Sequence, residues 1–303
     1  MMHSVRRAAA LLLAACTAAA SVGCQRTLPP DQEAHSGNAQ QLRTYLMSSS
    51  TAAGGAGAAA QPQGTGWATL RGTFTYQGDA PARQPISITK EPEICAPGGG
   101  AVLDQVLLVD EQSGGIQNVV VFLRRASRVH DSAQPSTEQV EFDQKNCLFT
   151  THVQTMTVGQ PLLLLNSDPT GHNASIDQYS FNQLIPANES LVYAPPSEAP
   201  FPISVTCSIH PWMLAYLFPR DNGYVAVTGP DGKFEIANVP AGEELEFQVW
   251  HENATGPGNG LVLDTPEAKE LGWTSRGRFN LTLEENAQAD LELTVPGSAF
   301  QRN

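Results

Sequence analysis

From Trp67 onward the chain keeps a two-residue rhythm of apolar and polar positions. WATLRGTFTYQG (67–78) alternates along its length, as a strand does when one face is buried. QNVVVFLRR (117–125) and QPLLLLNSD (160–168) are short, nearly continuous apolar runs. FPISVTC (201–207), YVAVTGPDGKFEIANV (224–239), LEFQVWHE (245–252) and RFNLTLEE (278–285) follow, each bounded by Gly, Pro, Asn or Asp. No stretch sustains a long helical period, and TPEAKELGW (265–273) suits one short helix. The pattern predicts an all-β chain with short strands at sandwich spacing.

The first 66 residues break that rhythm. MMHSVRRAAALLLAACTAAASVGC opens with Arg6 and Arg7, runs through a short apolar stretch and reaches small residues before a cysteine. This is an export signal of the bacterial lipoprotein kind over residues 1–24, with Cys24 expected to carry the lipid and Cys16 as the alternative. Residues 25–66 end in SSSTAAGGAGAAAQPQGTG, a composition that cannot bury a core and reads as a flexible, disordered tether. No later segment is apolar enough to span a bilayer, so membrane contact is expected through a lipid anchor alone. The expected location is the periplasm or cell surface.

Charge and cysteine count narrow the function. The formal net charge is −13, and loss of Arg6 and Arg7 with the signal makes it two units more negative. A surface this acidic excludes nucleic acid as a partner held by general electrostatics and suits a basic protein. Beyond the signal, three cysteines remain: Cys95, Cys147 and Cys207. In an oxidising compartment an odd count implies one bridge, Cys95–Cys147, and one special thiol, Cys207.

Cys207 lies in TCSIHPWM, where a thiol, an imidazole and a thioether follow one another at three-residue steps. With His172, in NSDPTGHN, these residues supply two imidazoles, one thiolate and one weak thioether, the donor set of a mononuclear type 1 copper site. The expected ligands are therefore His172, Cys207, His210 and Met213. A zinc site of the two-cysteine, two-histidine kind would need a further thiol, and methionine is a poor zinc ligand.

Residues 138–220 resemble a cupredoxin, the blue-copper Greek-key β-sandwich. MTVGQPLLLLNSDPTGHNASID resembles the strand and loop that carry the first histidine ligand, and TCSIHPWM resembles the short ligand loop of amicyanin. The resemblance implies that Asn173 hydrogen-bonds across to the Cys207 loop. It also implies that the His210 edge, beside Pro211 and Trp212, is where electrons enter and leave. By the same analogy the partner is a redox protein such as a c-type cytochrome or an amine-oxidising dehydrogenase.

A second resemblance flanks the first. LRGTFTYQGDAPA and NVVVFLRR resemble the opening half of a carboxypeptidase-regulatory-like (transthyretin-like) β-sandwich, and VAVTGPDGKFEIANVPAGEELEFQVWHE resembles its closing half. The implied arrangement is one small sandwich split into 67–137 and 221–297, with the copper domain of 138–220 inserted between the halves. Insertion at a loop is well tolerated when the inserted ends lie close together.

Other candidates carry less. His152, on an expected strand, reads as a core or surface histidine, Asp168 as a turn residue, and His251 as a structural or interface residue. Asn173, Asn188, Asn253 and Asn280 open glycosylation-type triplets, which mean little in a bacterial protein. No phosphate loop, c-type haem motif or supported Ser/His/Asp order appears. The expectation is a non-enzymatic, exported electron carrier. The alternative is an envelope binding or structural protein that uses a degenerate cupredoxin as scaffold.

Overall fold

The computed structural model describes residues 64–301. The signal, both lipidation candidates Cys16 and Cys24, and the 25–66 tether up to residue 63 lie outside the described residues. The described chain is all-β, with sixteen strands in four sheets.

Two sheets draw on the flanking segments. One has the order β13 (Lys233–Pro240), β1 (Trp67–Gln77), β16 (Gln288–Pro296). The other runs β12 (Val225–Val227), β2 (Val120–Leu123), β14 (Glu244–Trp250), β15 (Arg278–Thr282). They close over a core that includes Leu70, Phe74, Val121, Leu123, Ile236, Phe247 and Phe279. The segment linking β2 to its sheet partner β12 spans residues 124–224, so this sandwich is discontinuous in sequence. Its tight turns need special residues. In GPDG, Gly232 has φ 73° and a Cβ there would meet the Phe74 carbonyl oxygen at 2.4 Å, so only glycine fits.

The other two sheets lie wholly within 140–220. One is β5 (Val153–Thr157), β11 (Leu214–Arg220), β10 (Ile203–Thr206), β7 (His172–Ile176), β8 (Phe181–Ile185). The other is β4 (Leu148–Phe149), β3 (Val140–Lys145), β6 (Leu162–Asn166), β9 (Ser190–Tyr193). Their shared core contains Phe142, Phe149, Leu162, Leu164, Ile176, Val205 and Leu217.

A third apolar cluster joins the two sandwiches: Val120, Phe122, Val153, Ala199, Phe218 and Trp250. It explains why β2 is apolar at every position. Val121 and Leu123 face the first core, Val120 and Phe122 face this junction, and a strand buried on both faces shows no alternation. Arg220 is buried here, with its guanidinium 4.9 Å from the Phe122 ring centroid and 5.1 Å from that of Phe218. It also donates to the Leu123 and Ala199 carbonyls and pairs with Glu198 at 2.8 Å.

His152 precedes β5 rather than lying on a strand. It is buried and paired with Glu252, just past β14, so it ties the two sandwiches together. His251 is also buried, its Nδ1 accepting from the Asn253 amide. One stretch departs from the expected partition. Ile88, Ile94 and Cys95, within 67–137, pack against the core of the 140–220 sandwich instead of their own.

Candidate metal centre

Three donor atoms meet in the interior at one end of the central sandwich. His172 opens β7, paired with Ile185 on β8. Cys207 follows the last residue of β10, and the chain returns into β11 through a tight loop. The loop is closed by Cys207 N donating to the Met213 carbonyl (3.3 Å) and Met213 N donating to that of His210 (3.0 Å). Two antiparallel strands and one turn thus hold all the donors on hydrogen-bonded backbone.

Cys207 Sγ lies 3.9 Å from His172 Nδ1 and 3.9 Å from His210 Nδ1, and the two Nδ1 atoms are 2.9 Å apart. All three side chains are buried. The point in their plane equidistant from the three atoms lies about 2.1 Å from each, within the range of metal bonds to imidazole nitrogen and close to that of thiolate sulfur.

The outer nitrogens decide which atoms face inward. His172 Nε2 donates to Asp168 Oδ2 at 2.8 Å, and His210 Nε2 donates to Glu91 Oε2 at 2.8 Å. An ionised carboxylate only accepts, so the proton of each neutral ring sits on Nε2 and each Nδ1 presents a lone pair. Two lone pairs and a sulfur face one another in a space closed to water. That repulsion is relieved by a cation or a proton between them, and the donor set fits a soft, nitrogen- and sulfur-seeking metal.

The thiol is prepared for the same role. Burial opposes its ionisation, but the His172 ring, when it carries a second proton, and the Asn173 and His210 backbone outweigh it and bring Cys207 down to about 6. Asn173 bridges the two ligand segments: its Oδ1 accepts from Ser208 N at 2.8 Å and Ser208 Oγ at 3.0 Å, and its Nδ2 donates to Asn182 at 2.8 Å. Met213 closes the loop, buried in the same apolar cluster as Cys207.

Cys95 and Cys147 are disulfide-bonded, with Cα atoms 4.8 Å apart. Cys147 and Asn146 are the two central residues of the β3–β4 hairpin, at φ 54° and 52°, the type I′ conformation whose twist matches its strands. Both of their amides point at Asp168, which accepts from Asn146 N at 2.7 Å and Cys147 N at 2.8 Å. Asp168 is therefore more than a turn residue. It is a buried carboxylate that fixes the hairpin and the His172 ring together.

One feature corrects the sequence reading. The His210 edge is not open: the ring is fully buried and Glu91 covers its Nε2. Trp212 packs edge-on to the His210 ring, centroids 5.3 Å apart, and is held there by its Nε1 donating to the Cys147 carbonyl at 3.1 Å. Glu91 escaped sequence reasoning. Its one signal was its place four residues before Cys95, because any bridge to Cys147 carries SITKEPEIC to the ligand loops. Asp168 had a local signal, four positions before His172.

No protein-family model matches the chain, and no curated protein matches it. Solved structures do overlap with part of it. A copper-containing nitrite reductase from Thermus scotoductus SA-01 matches at 18% identity over 27% of this chain, with a TM-score of 0.26. The chain spans 22% of that reductase. Amicyanin from Paracoccus versutus matches at 13% identity over 33% of this chain and 97% of its own, TM-score 0.25. A purple cupredoxin from Nitrosopumilus maritimus matches at 17% identity over 27% of this chain and 98% of its own, TM-score 0.23.

Proposed function

We propose that residues 138–220 form a cupredoxin and that the protein is an exported type 1 copper protein passing single electrons between envelope redox partners. The observation that carries this reading is the convergence of His172 Nδ1, His210 Nδ1 and Cys207 Sγ, with both outer imidazole nitrogens held by carboxylates. Copper, when bound, supplies a one-electron couple. The chain supplies everything that keeps such a couple fast. His172 and His210 keep their rings in one orientation, Asn173 ties the Cys207 loop to β7, and the buried surroundings keep water from the donors. Met213, buried in the same apolar cluster as Cys207, would offer its thioether as a further, weak ligand.

The flanking sandwich is, on this reading, a carboxypeptidase-regulatory-like domain with the copper domain inserted, and Cys24 carries the lipid that holds the protein at a membrane. It acts as a carrier and not as an enzyme. Among the described residues, the other histidines (His130, His152 and His251) sit in loops and belong to none of the candidate donor clusters. The acidic surface would steer a basic partner, a c-type cytochrome or an amine-oxidising dehydrogenase, and raise on-rate more than affinity.

The test is copper(II) reconstitution. The expected result is an intense thiolate-to-copper visible band with a small parallel hyperfine splitting, absent in Cys207→Ser. A colourless wild-type protein that is correctly folded sinks the proposal and leaves the binding-scaffold alternative standing.

A further inference from the structure

The stretch 86–96 leaves its own sandwich and lies across the metal centre as a strap. Ile88 and Ile94 pack into the central core, and Lys90 Nζ donates to the Ile209 carbonyl at 2.8 Å, inside the ligand loop. Glu91 accepts from Thr170 Oγ1 at 2.9 Å, two residues before His172, and from His210 Nε2. The short helix Pro92–Cys95 follows, with the amides of Ile94 and Cys95 both donating to the Glu91 carbonyl at 2.9 Å. The strap then ends at the Cys95–Cys147 bridge. Glu91 itself has φ 45° and ψ 51°, a left-handed conformation that a glutamate adopts only when its surroundings hold it there.

We infer that Glu91 is the positioning residue of His210, delivered by a strap that the Cys95–Cys147 bridge ties down. This inference rests on the copper-carrier reading for its metal but not for its geometry. Glu91 has two separable effects. Its oxygen accepts the Nε2 proton, which fixes the ring with Nδ1 inward. Its charge sits next to a ligand and favours the more positive oxidation state of a bound metal. The bridge matters because the strap's other ties are one lysine contact, one threonine contact and two isoleucines. The site is thereby closed on the side where the sequence resemblance implied an electron port, so a redox partner would have to dock on the strap itself or elsewhere.

Glutamine and alanine at position 91 separate the two effects. The first readout needs no metal: imidazole nitrogen NMR on the metal-free protein. Wild type should show His210 as a single tautomer with Nε2 protonated. Glu91→Gln keeps an acceptor oxygen and should retain that tautomer, whereas Glu91→Ala should lose it. Cobalt(II) titration should then show affinity within about threefold of wild type for Glu91→Gln and at least about tenfold weaker for Glu91→Ala. In the copper-loaded protein, Glu91→Gln should raise the reduction potential by the equivalent of about a tenfold change in the ratio of oxidised- to reduced-state affinity, about 59 mV for one electron.

The paired variant Cys95→Ser/Cys147→Ser, its fold checked by circular dichroism, should reproduce the Glu91→Ala tautomer spectrum. Should that variant not fold, the two Glu91 variants decide the question by themselves. A single Nε2-protonated tautomer surviving in Glu91→Ala overturns the inference, as does an unchanged potential in Glu91→Gln. A folded bridge-free variant with the wild-type spectrum overturns the role given to the disulfide. If His210 answers to Glu91 but the wild-type protein takes up copper(II) without a thiolate band, the positioning role stands and the carrier reading falls.

Discussion

Replacing Asp168 should damage both stability and the metal centre, and the structure sets how much. This buried carboxylate accepts three hydrogen bonds, from Asn146 N, Cys147 N and His172 Nε2, at 2.7 to 2.8 Å. In Asp168→Asn the amide has one acceptor oxygen. Placed toward Cys147 and His172, it leaves its NH2 facing the Asn146 amide, donor against donor; flipped, it abandons the other two. Hydrogen bonds to charged groups contribute about 1.5–3 kcal/mol each, and an orphaned buried donor costs about 1–3 kcal/mol, so Asp168→Asn should cost about 2–4 kcal/mol. Asp168→Ala orphans all three donors and should cost about 3–6 kcal/mol, a large part of the roughly 5–15 kcal/mol that holds a domain folded. Urea unfolding followed by circular dichroism measures the loss. With its Nε2 partner gone, His172 can take the other tautomer, so metal affinity should fall in both variants even where they remain folded. An Asp168→Ala protein within about 1 kcal/mol of wild type would refute the reasoning, because it would mean that those three donors had other partners.

The remaining predictions concern the joints of the molecule. Burial, with a smaller push from His152, holds His251 down at about 3, so the folded state keeps it neutral while the unfolded chain takes a proton below its ordinary value. Its contribution is therefore fully present above about pH 6.5 and is lost as pH falls from there toward 3, at up to about 1.4 kcal/mol per pH unit. In His251→Gln, urea unfolding between pH 4 and 7 should show a slope reduced by one proton, and an unchanged slope rejects this assignment. Arg220→Leu removes two ring contacts and two carbonyl hydrogen bonds at the junction and should cost about 2–4 kcal/mol. Calorimetry should then resolve separate transitions for the two sandwiches, and one unshifted transition would contradict it. The Cys95–Cys147 bridge, across a sequence separation of 52, should contribute about 4 kcal/mol through the entropy of the unfolded chain, read as the loss of unfolding free energy in the Cys95→Ser/Cys147→Ser protein.

Much of the centre is legible because it is contiguous. Cys207, His210 and Met213 fall within one loop, and local spacing reports what a loop can bring together. The alternating strands β1 and β13 are legible for a related reason, since each has one buried face over most of its length. Strands such as β8 and β9 are harder to see. They edge their sheets, and FNQLI and SLVY leave Leu184 and Val192 exposed, so the apolar positions do not mark an interior face. Glu91 was invisible for a different reason. It meets His210 across 119 positions, and nothing near a glutamate in a loop reveals a partner that distant. Asp168 was visible but misread, because an aspartate before proline is so often only a turn former.

The β1 pairings have a consequence for mechanical load. The strand lies between β13, which runs antiparallel to it, and β16, which runs parallel from Thr69 to Gln77. If the chain is held at a membrane by residues preceding Trp67, any pull on the protein enters along the axis of β1. A strand drawn along its own length against flanking partners loads its hydrogen bonds together, in shear, instead of unzipping them one at a time. The residues that clamp this anchored strand come from the other end of the chain. A cut that released β16 would therefore weaken the grip on β1 while leaving His172, Cys207 and His210 on their own strands and loop.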